Sequence, residues 1–171
     1  ICYNEVTKTE AAVKKFFFLI AILAFTGISA RAEETTPTQK IGSPGHWTAT
    51  TEEAANNPVA KEILAKGKPV TVTGEVVDVS CYLQLGKRGE KHIDCGQKCV
   101  LNGQPFGIVD AANKLYIVIA EEHHPRRDGT VSLRETFAKM MAKTVTVEGM
   151  QTVSNGYTAI FVQAAPYTPQ K

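Results

Sequence analysis

Alternating hydrophobic and polar residues predict five β-strands in the middle and C-terminal parts of the chain. Successive side chains of a strand point to opposite faces, so an apolar residue at every second position indicates a strand with one buried face. The segments with this pattern are residues 70–83, 106–109, 115–120, 144–150 and 157–163. Ser154, Asn155 and Gly156 separate the last two strands, and the Asn-Gly pair predicts a tight hairpin there.

Two helices are predicted beside these strands. The first begins at Pro58, with Asn57 as its N-cap, and ends near Gly67. The second lies between the third and fourth strands, where Ser132 and Glu135 have the spacing of a capping box. Apolar residues recur on one face of each helix. These residues are Val59, Ile63 and Leu64 in the first helix, and Leu133, Phe137, Met140 and Met141 in the second.

Three strands, a helix and two further strands form the element order of an OB-fold, a five-stranded and partly open barrel. The region 68–165 resembles the secreted OB-fold proteins of bacteria, through this order and through the sequence Thr-Gly-Glu-Val-Val-Asp in the first strand. We therefore predict a mainly β protein: a five-stranded OB-fold-like barrel with a helix between strands three and four and a short N-terminal helix. The resemblance implies no particular activity.

The N-terminal segment has the pattern of a secretory signal peptide. Two lysines at 14–15 precede an apolar run at 16–25, and residues 30–32 read Ala-Arg-Ala, the small-residue pattern that a signal peptidase recognises. We expect cleavage after Ala32 and a periplasmic or secreted mature protein. The apolar run is shorter than the roughly 20 residues that span a bilayer, so we expect no stable membrane anchor after cleavage.

Outside the signal peptide, the chain is interpreted as an upstream segment, a leader, one folded domain and a short tail. The first twelve residues, including Cys2, do not fit a signal peptide, and we interpret Val13 as the true translation start. Residues 33–56, rich in Thr, Pro, Gly and Ser, predict a flexible leader. The OB-fold-like domain, with its short N-terminal helix, is expected over residues 57–165, and residues 166–171 form a tail.

The net charge argues against a nucleic-acid partner. The whole chain carries a formal charge of +2. Residues 1–32 contain four basic and two acidic residues, so the segment that we expect to be removed accounts for all of this charge. The mature protein is then formally neutral and lacks the positive field that attracts phosphate backbones.

Three cysteines and a histidine in one long loop carry the candidate chemistry. Cys81 stands at the predicted end of the first strand, and His92, Cys95 and Cys99 lie in the connection to the second strand. A short helix predicted over residues 94–101 places Cys95 and Cys99 on one face, with His92 near its first turn. Zinc and copper(I) prefer thiol and imidazole ligands. We predict one transition-metal ion, zinc or copper, bound by these four residues in a structural or metal-carrier role.

A pair of histidines, His123 and His124, follows the third strand. In a barrel of alternating strand directions, their loop and the hairpin at 154–156 are expected at the same rim as the cysteine loop. Either histidine is therefore a candidate supporting ligand. The simpler interpretation of two histidines before a proline in a polar loop is a solvated turn.

Two other interpretations of the cysteines remain open. Exported proteins meet an oxidising compartment, where thiols usually form disulfides. Cys81 paired with Cys95 or Cys99 would give a disulfide-stapled OB-fold module that binds a peptide, a glycan or a small ligand. A Cys95–Cys99 disulfide would instead be labile and suited to thiol–disulfide redox chemistry. The odd number of thiols favours a metal, because an unpaired thiol is a liability outside the cell.

The sequence contains no nucleophile elbow, phosphate loop or HExxH motif, and we expect no enzymatic activity. Glu75 and Asp78 are interpreted as part of a solvated face of the first strand. Tyr82, Phe106 and Tyr116 are interpreted as packing residues. Besides the metal ion, the expected partner is another extracytoplasmic protein.

Overall fold

The structure is a computed structural model that describes residues 36–43, 45–121 and 133–163. The predicted signal peptide and C-terminal tail lie outside these residues, and so do His123 and His124. Among the described residues, no helix is both long enough and apolar enough to cross a membrane.

The described part of the chain contains six strands, five helices and one 3₁₀ turn. The strands are β1 (Lys40–Gly42), β2 (Lys68–Asp78), β3 (Phe106–Asp110), β4 (Leu115–Ala120), β5 (Thr144–Ser154) and β6 (Tyr157–Val162). The helices are α1 (Ala49–Ala54), α2 (Pro58–Ala65), α3 (Val79–Leu85), α4 (Ile93–Leu101) and α5 (Arg134–Lys139). The 3₁₀ turn, Glu90–His92, immediately precedes α4.

Five of the strands close into a barrel. They follow the order β5-β2-β3-β4-β6, and β6 pairs with β5 to complete the circle. Neighbouring barrel strands are antiparallel except for β4 and β6, which run parallel with Ile117 beside Ala159. β1 pairs in parallel with β5 on the edge opposite β2, at residues 146–148, before the part of that edge that pairs with β6. The predicted OB-fold-like barrel, with a helix between its third and fourth strands, is confirmed.

Alternate side chains of the strands fill the barrel. Val145 and Val147 of β5 and Ile160 of β6 are fully buried, as the two-residue period of the sequence predicts. Phe137 of α5 is also fully buried, and its ring stacks on Phe106 with 4.7 Å between the ring centroids. All five belong to one hydrophobic cluster, which gives the connection between β2 and β3 a rigid base.

The N-terminal segment contains regular structure that the sequence analysis did not predict. Both β1 and α1 lie within residues 33–56. A three-residue strand and a six-residue helix are too short to show a hydrophobic period, so the sequence pattern does not reveal them. The indole Nε1 of Trp47 donates a hydrogen bond to the Leu64 carbonyl, 3.0 Å away, and ties this segment to α2.

Helix α2 has the predicted start but an exposed apolar face. Asn57 caps it by accepting a hydrogen bond from the Ala60 amide at 3.0 Å, and Pro58 occupies the first turn. Its apolar stripe does not pack against the core at Val59 and Ile63, which are 66% and 59% exposed. Ile63 instead lines a cavity of about 720 Å³ between the first two helices and the barrel.

Strand β2 ends at Asp78, five residues before its predicted end at Leu83. The Asp78 carboxylate accepts a hydrogen bond from the Ser80 amide at 2.9 Å and so acts as the N-cap of α3. The chain therefore turns into a helix, which ends at Gly86 in the left-handed region with φ 64°. Cys81 consequently stands on a helix and not at the end of a strand.

The hairpin between β5 and β6 has the predicted tight turn but not the predicted location. Asn155 and Gly156 have φ values of 48° and 84°, as a type I′ turn requires. Because β5 runs antiparallel to β2, Lys68 at the start of β2 pairs with Gln151, and the hairpin lies beyond that end of β2. Asp78 and the cysteine loop are at the opposite end of the strand.

We expect Phe137→Ala to destabilise the protein by about 3–5 kcal/mol, because it empties a fully buried aromatic position. Urea unfolding followed by circular dichroism measures this change. Lys139→Ala, at an exposed position of the same helix, is the control and should stay within about 0.5 kcal/mol of the wild type. Equal stability of the two variants would contradict the assignment of Phe137 to the core.

Candidate metal centre

The connection between β2 and β3 carries its three cysteines on two helices. Cys81 lies on α3, and Cys95 and Cys99 lie on α4. Side chains four residues apart share one face of a helix, so the two thiols of α4 project together. The helix predicted over residues 94–101 is observed as Ile93–Leu101. Local helix geometry therefore accounts for two of the three thiol positions.

The thiols of Cys81, Cys95 and Cys99 converge into one cluster. Their three Sγ atoms all lie within 4.8 Å of one another. All three cysteines are free thiols; Cys95 is exposed, whereas Cys81 and Cys99 are half-buried. The cluster is thus most exposed at Cys95 and partly covered by protein at Cys81 and Cys99. We call it the three-thiol set.

His92 belongs to a second set, formed with Asp78 and Cys81. One ligand atom of each residue lies within 4.8 Å of the other two. The His92 Nε2 atom is 3.9 Å from Oδ2 of Asp78, and both side chains are almost completely buried. Neither of these two atoms has a hydrogen-bond partner among the described residues. We call this group the inner set, and it shares Cys81 with the three-thiol set.

Asp78 is the site residue that the sequence analysis missed. Its interpretation as part of a solvated strand face is wrong, because the residue is fully buried. Apolar residues flank it on both sides, and Val76, Val77 and Val79 are all buried. Two adjacent apolar residues followed by a third break the two-residue period and indicate a strand end that is covered on both faces. This break in the alternation was the available signal for the burial of Asp78.

Glu75 also has a structural role that the sequence analysis did not assign. One carboxylate oxygen accepts a hydrogen bond from the Gly89 amide at 2.6 Å, and the other lies 3.6 Å from Nε of Arg88. These contacts fasten the link between α3 and the 3₁₀ turn to strand β2. The two thiol-bearing helices are thereby held to the same strand.

Helix α4 is anchored to the barrel through its buried face. Val100 is fully buried in the core, and Gly96 is also buried. A Cβ atom at Gly96 would lie 2.8 Å from the Met141 sulfur, so a larger residue at this position would force the Met141 side chain to move. Arg134 of α5 donates hydrogen bonds to the Val100 and Gln104 carbonyls at 2.5 and 3.0 Å, which satisfies the C-terminal end of α4.

Two of the thiols in the cluster have raised pKa values. The hydrogen bond to Asp78, together with burial and the charge of that carboxylate, raises the pKa of Cys81 to about 12. Burial and the Asp78 charge also raise the pKa of Cys99. A metal ion would therefore have to displace protons from both thiols, so its affinity should increase with pH.

The surroundings of the cluster carry exposed positive charge. Lys87, Lys91 and Lys98 are all exposed and lie in the same connection as the cysteines. The supporting ligands predicted from sequence, His123 and His124, lie outside the described residues. The described part of the loop thus offers three thiols, one imidazole and one carboxylate as ligands.

Comparisons with known proteins add no functional information: no protein-family model, curated protein or solved structure matches this chain. The interpretation of the centre therefore rests on the distances, burial and charge of its own residues.

We expect the three thiols of the metal-free protein to react with iodoacetamide at different rates at pH 8. Cys95 should react first because it is exposed, and Cys81 last because its pKa is about 12 and only the thiolate is nucleophilic. Asp78→Asn removes the main cause of the raised pKa and should accelerate labelling of Cys81. Asn also caps helices, so α3 should be retained.

Peptide mass spectrometry of timed samples gives the three rates separately. Asp94→Asn, an exposed carboxylate on α4, is the matched control and should leave the order unchanged. An unchanged Cys81 rate in Asp78→Asn would show that the carboxylate does not control this thiol.

Proposed function

We propose that the protein binds a transition-metal ion, zinc or copper(I), at the three-thiol set and acts outside the cytoplasm. The convergence of three Sγ atoms within 4.8 Å is the observation that carries this proposal. Thiolates are the ligands that both ions favour. The proposed location follows from the signal-peptide pattern of residues 14–32.

The spacing of the thiols is close to what one ion needs. Zinc–sulfur bonds of 2.3 Å place tetrahedral thiolates roughly 3.8 Å apart. Side-chain rotations of the three cysteines can supply the remaining contraction, because their helices are already fixed to the barrel by Glu75, Val100 and Arg134. Little loop ordering is then left to oppose binding.

The exposure of Cys95 favours metal handling over a purely structural role. A structural zinc site is closed by four protein ligands, whereas a site with three leaves a position open. The open position here faces solvent beside Cys95, where a partner protein or a small ligand could approach. We therefore propose a carrier or sensor that exchanges its ion with another extracytoplasmic protein.

A thiol–disulfide redox function is the second candidate. The exposed thiol of Cys95 lies beside that of Cys99, and a disulfide between them would form with loss of two protons and two electrons. An external dithiol or disulfide would exchange with this pair through Cys95. Cys81 would remain a thiol. Metal analysis combined with thiol counting, described next, separates this redox function from metal binding.

We expect the protein, purified from the extracytoplasmic fraction without chelators, to contain zinc or copper and three thiols that react only after chelation. Elemental analysis and thiol counting on one sample test this. Cys95→Ser with Cys99→Ser should lower the metal content by one equivalent per chain, because two of the three thiolates are removed. Lys98→Ser, on the same helix and exposed, is the control and should retain the metal.

Unchanged metal content in the double cysteine variant would refute the proposed ligands. Absence of metal, with one disulfide and one free thiol per chain, would support the redox function or a structural disulfide instead. A redox pair would then be reduced reversibly by glutathione, whereas a structural disulfide would resist reduction until the protein unfolds.

A further inference from the structure

We propose that the inner set of Asp78, Cys81 and His92 binds a second metal ion, and that the Cys81 thiolate bridges the two ions. The inference rests on the proposed function, since it takes an ion at the three-thiol set as given. The protein would then hold a dinuclear centre within a single connection of the barrel.

The first observation is a pair of buried polar atoms without partners. Oδ2 of Asp78 and Nε2 of His92 lack hydrogen-bond partners among the described residues, and both side chains are more than nine-tenths buried. Leaving such groups unsatisfied is destabilising, and more so when one is charged. Both atoms belong to one small group, which indicates a common missing partner.

A direct bond between the two atoms does not supply that partner. Their separation of 3.9 Å exceeds the length of a hydrogen bond. Two nitrogen or oxygen ligands with metal bonds of 2.0–2.1 Å lie roughly 3.4 Å apart in a tetrahedral zinc site. The observed gap is therefore about half an ångström from the separation that an ion between the two side chains requires.

The position of Cys81 connects the two sets. Its Sγ atom lies within 4.8 Å of the Sγ atoms of Cys95 and Cys99. The same Sγ atom also lies within 4.8 Å of a carboxylate oxygen of Asp78 and a ring nitrogen of His92. A thiolate can donate to two ions at once, which gives each ion three protein ligands. One coordination position of each ion would stay open for an external ligand.

Charge balance favours two ions over one. Three thiolates and the Asp78 carboxylate carry four negative charges. Two divalent ions neutralise all four charges, whereas a single divalent ion neutralises only two of them. Arg88 is engaged by Glu75, and Lys87, Lys91 and Lys98 are exposed, so no arginine or lysine of this connection replaces the second ion in the interior. Uncompensated buried charge is strongly destabilising.

The two sets differ in the ions that they favour. The three-thiol set is soft and suits copper(I) or zinc, whereas carboxylate and imidazole suit zinc or cobalt(II) better than copper(I). Zinc satisfies both sets, and cobalt(II) is its spectroscopic substitute. The inner set is also more buried, so its ion should exchange more slowly than the outer one.

Cobalt(II) titration of the metal-free protein, carrying Cys2→Ser to remove the remaining cysteine of the sequence, tests the proposal. We expect saturation at two equivalents per chain, and a magnetic moment at saturation below that of two isolated ions because the thiolate bridge couples them. Asp78→Asn with His92→Phe should saturate at one equivalent and keep the thiolate charge-transfer band. The control pair Asp94→Asn with His46→Phe alters exposed residues and should still bind two.

The outcomes separate this inference from the proposed function. Saturation of the wild type at one equivalent, with the charge-transfer band present, would overturn the second site and leave the first intact. Absence of the band would overturn both. Two equivalents retained by the Asp78 and His92 variant would place the second ion elsewhere and overturn the inner set. The wild-type stoichiometry and magnetic moment decide the question even if that variant fails to fold.

Discussion

The position of Cys81 and the pKa values of two thiols in the candidate centre depend on the buried carboxylate of Asp78 at the end of β2. Asp78 ends the strand by capping α3, and this turn places Cys81 above the barrel. Its hydrogen bond and its charge raise the pKa of Cys81, and its charge adds to the effect of burial in raising the pKa of Cys99. Its Oδ2 atom lies 3.9 Å from Nε2 of His92. Buried charge is costly unless it is compensated. The carboxylate therefore sets both the local fold and the chemistry that the surrounding ligands can perform.

The barrel makes this arrangement possible because it supplies a base that does not depend on the centre. Its closed sheet satisfies the backbone groups of the strands, and α5 seals its core with Phe137. The connection between β2 and β3 then needs only a few attachments to be fixed. Glu75 holds its middle, while Val100 and Arg134 hold α4. Ligands fixed in this way lose little freedom when they bind an ion.

Sequence reasoning was most successful where one local rule determined the outcome. The two-residue period located the strands, Asn57 and Pro58 marked the start of α2, and the four-residue spacing put Cys95 and Cys99 on one face. It failed where tertiary placement mattered. The burial of Asp78 depends on packing around the strand end, and the hairpin position depends on the length and register of β2. Neither the burial of Asp78 nor the position of the hairpin can be predicted from a short segment of sequence.

The link between α3 and the 3₁₀ turn has a consequence for the lifetime of the protein. Residues 86–89 read Gly-Lys-Arg-Gly, and the two basic side chains are exposed between Cys81 and Cys95. Proteases of trypsin specificity cleave after such residues when the backbone can open locally. If the proposed ion binds, thiols on both sides of the segment would be cross-linked, and this would add to the Glu75 contacts in suppressing that opening. Chains without metal would then be degraded first, so the abundance of the protein would follow the local supply of the ion.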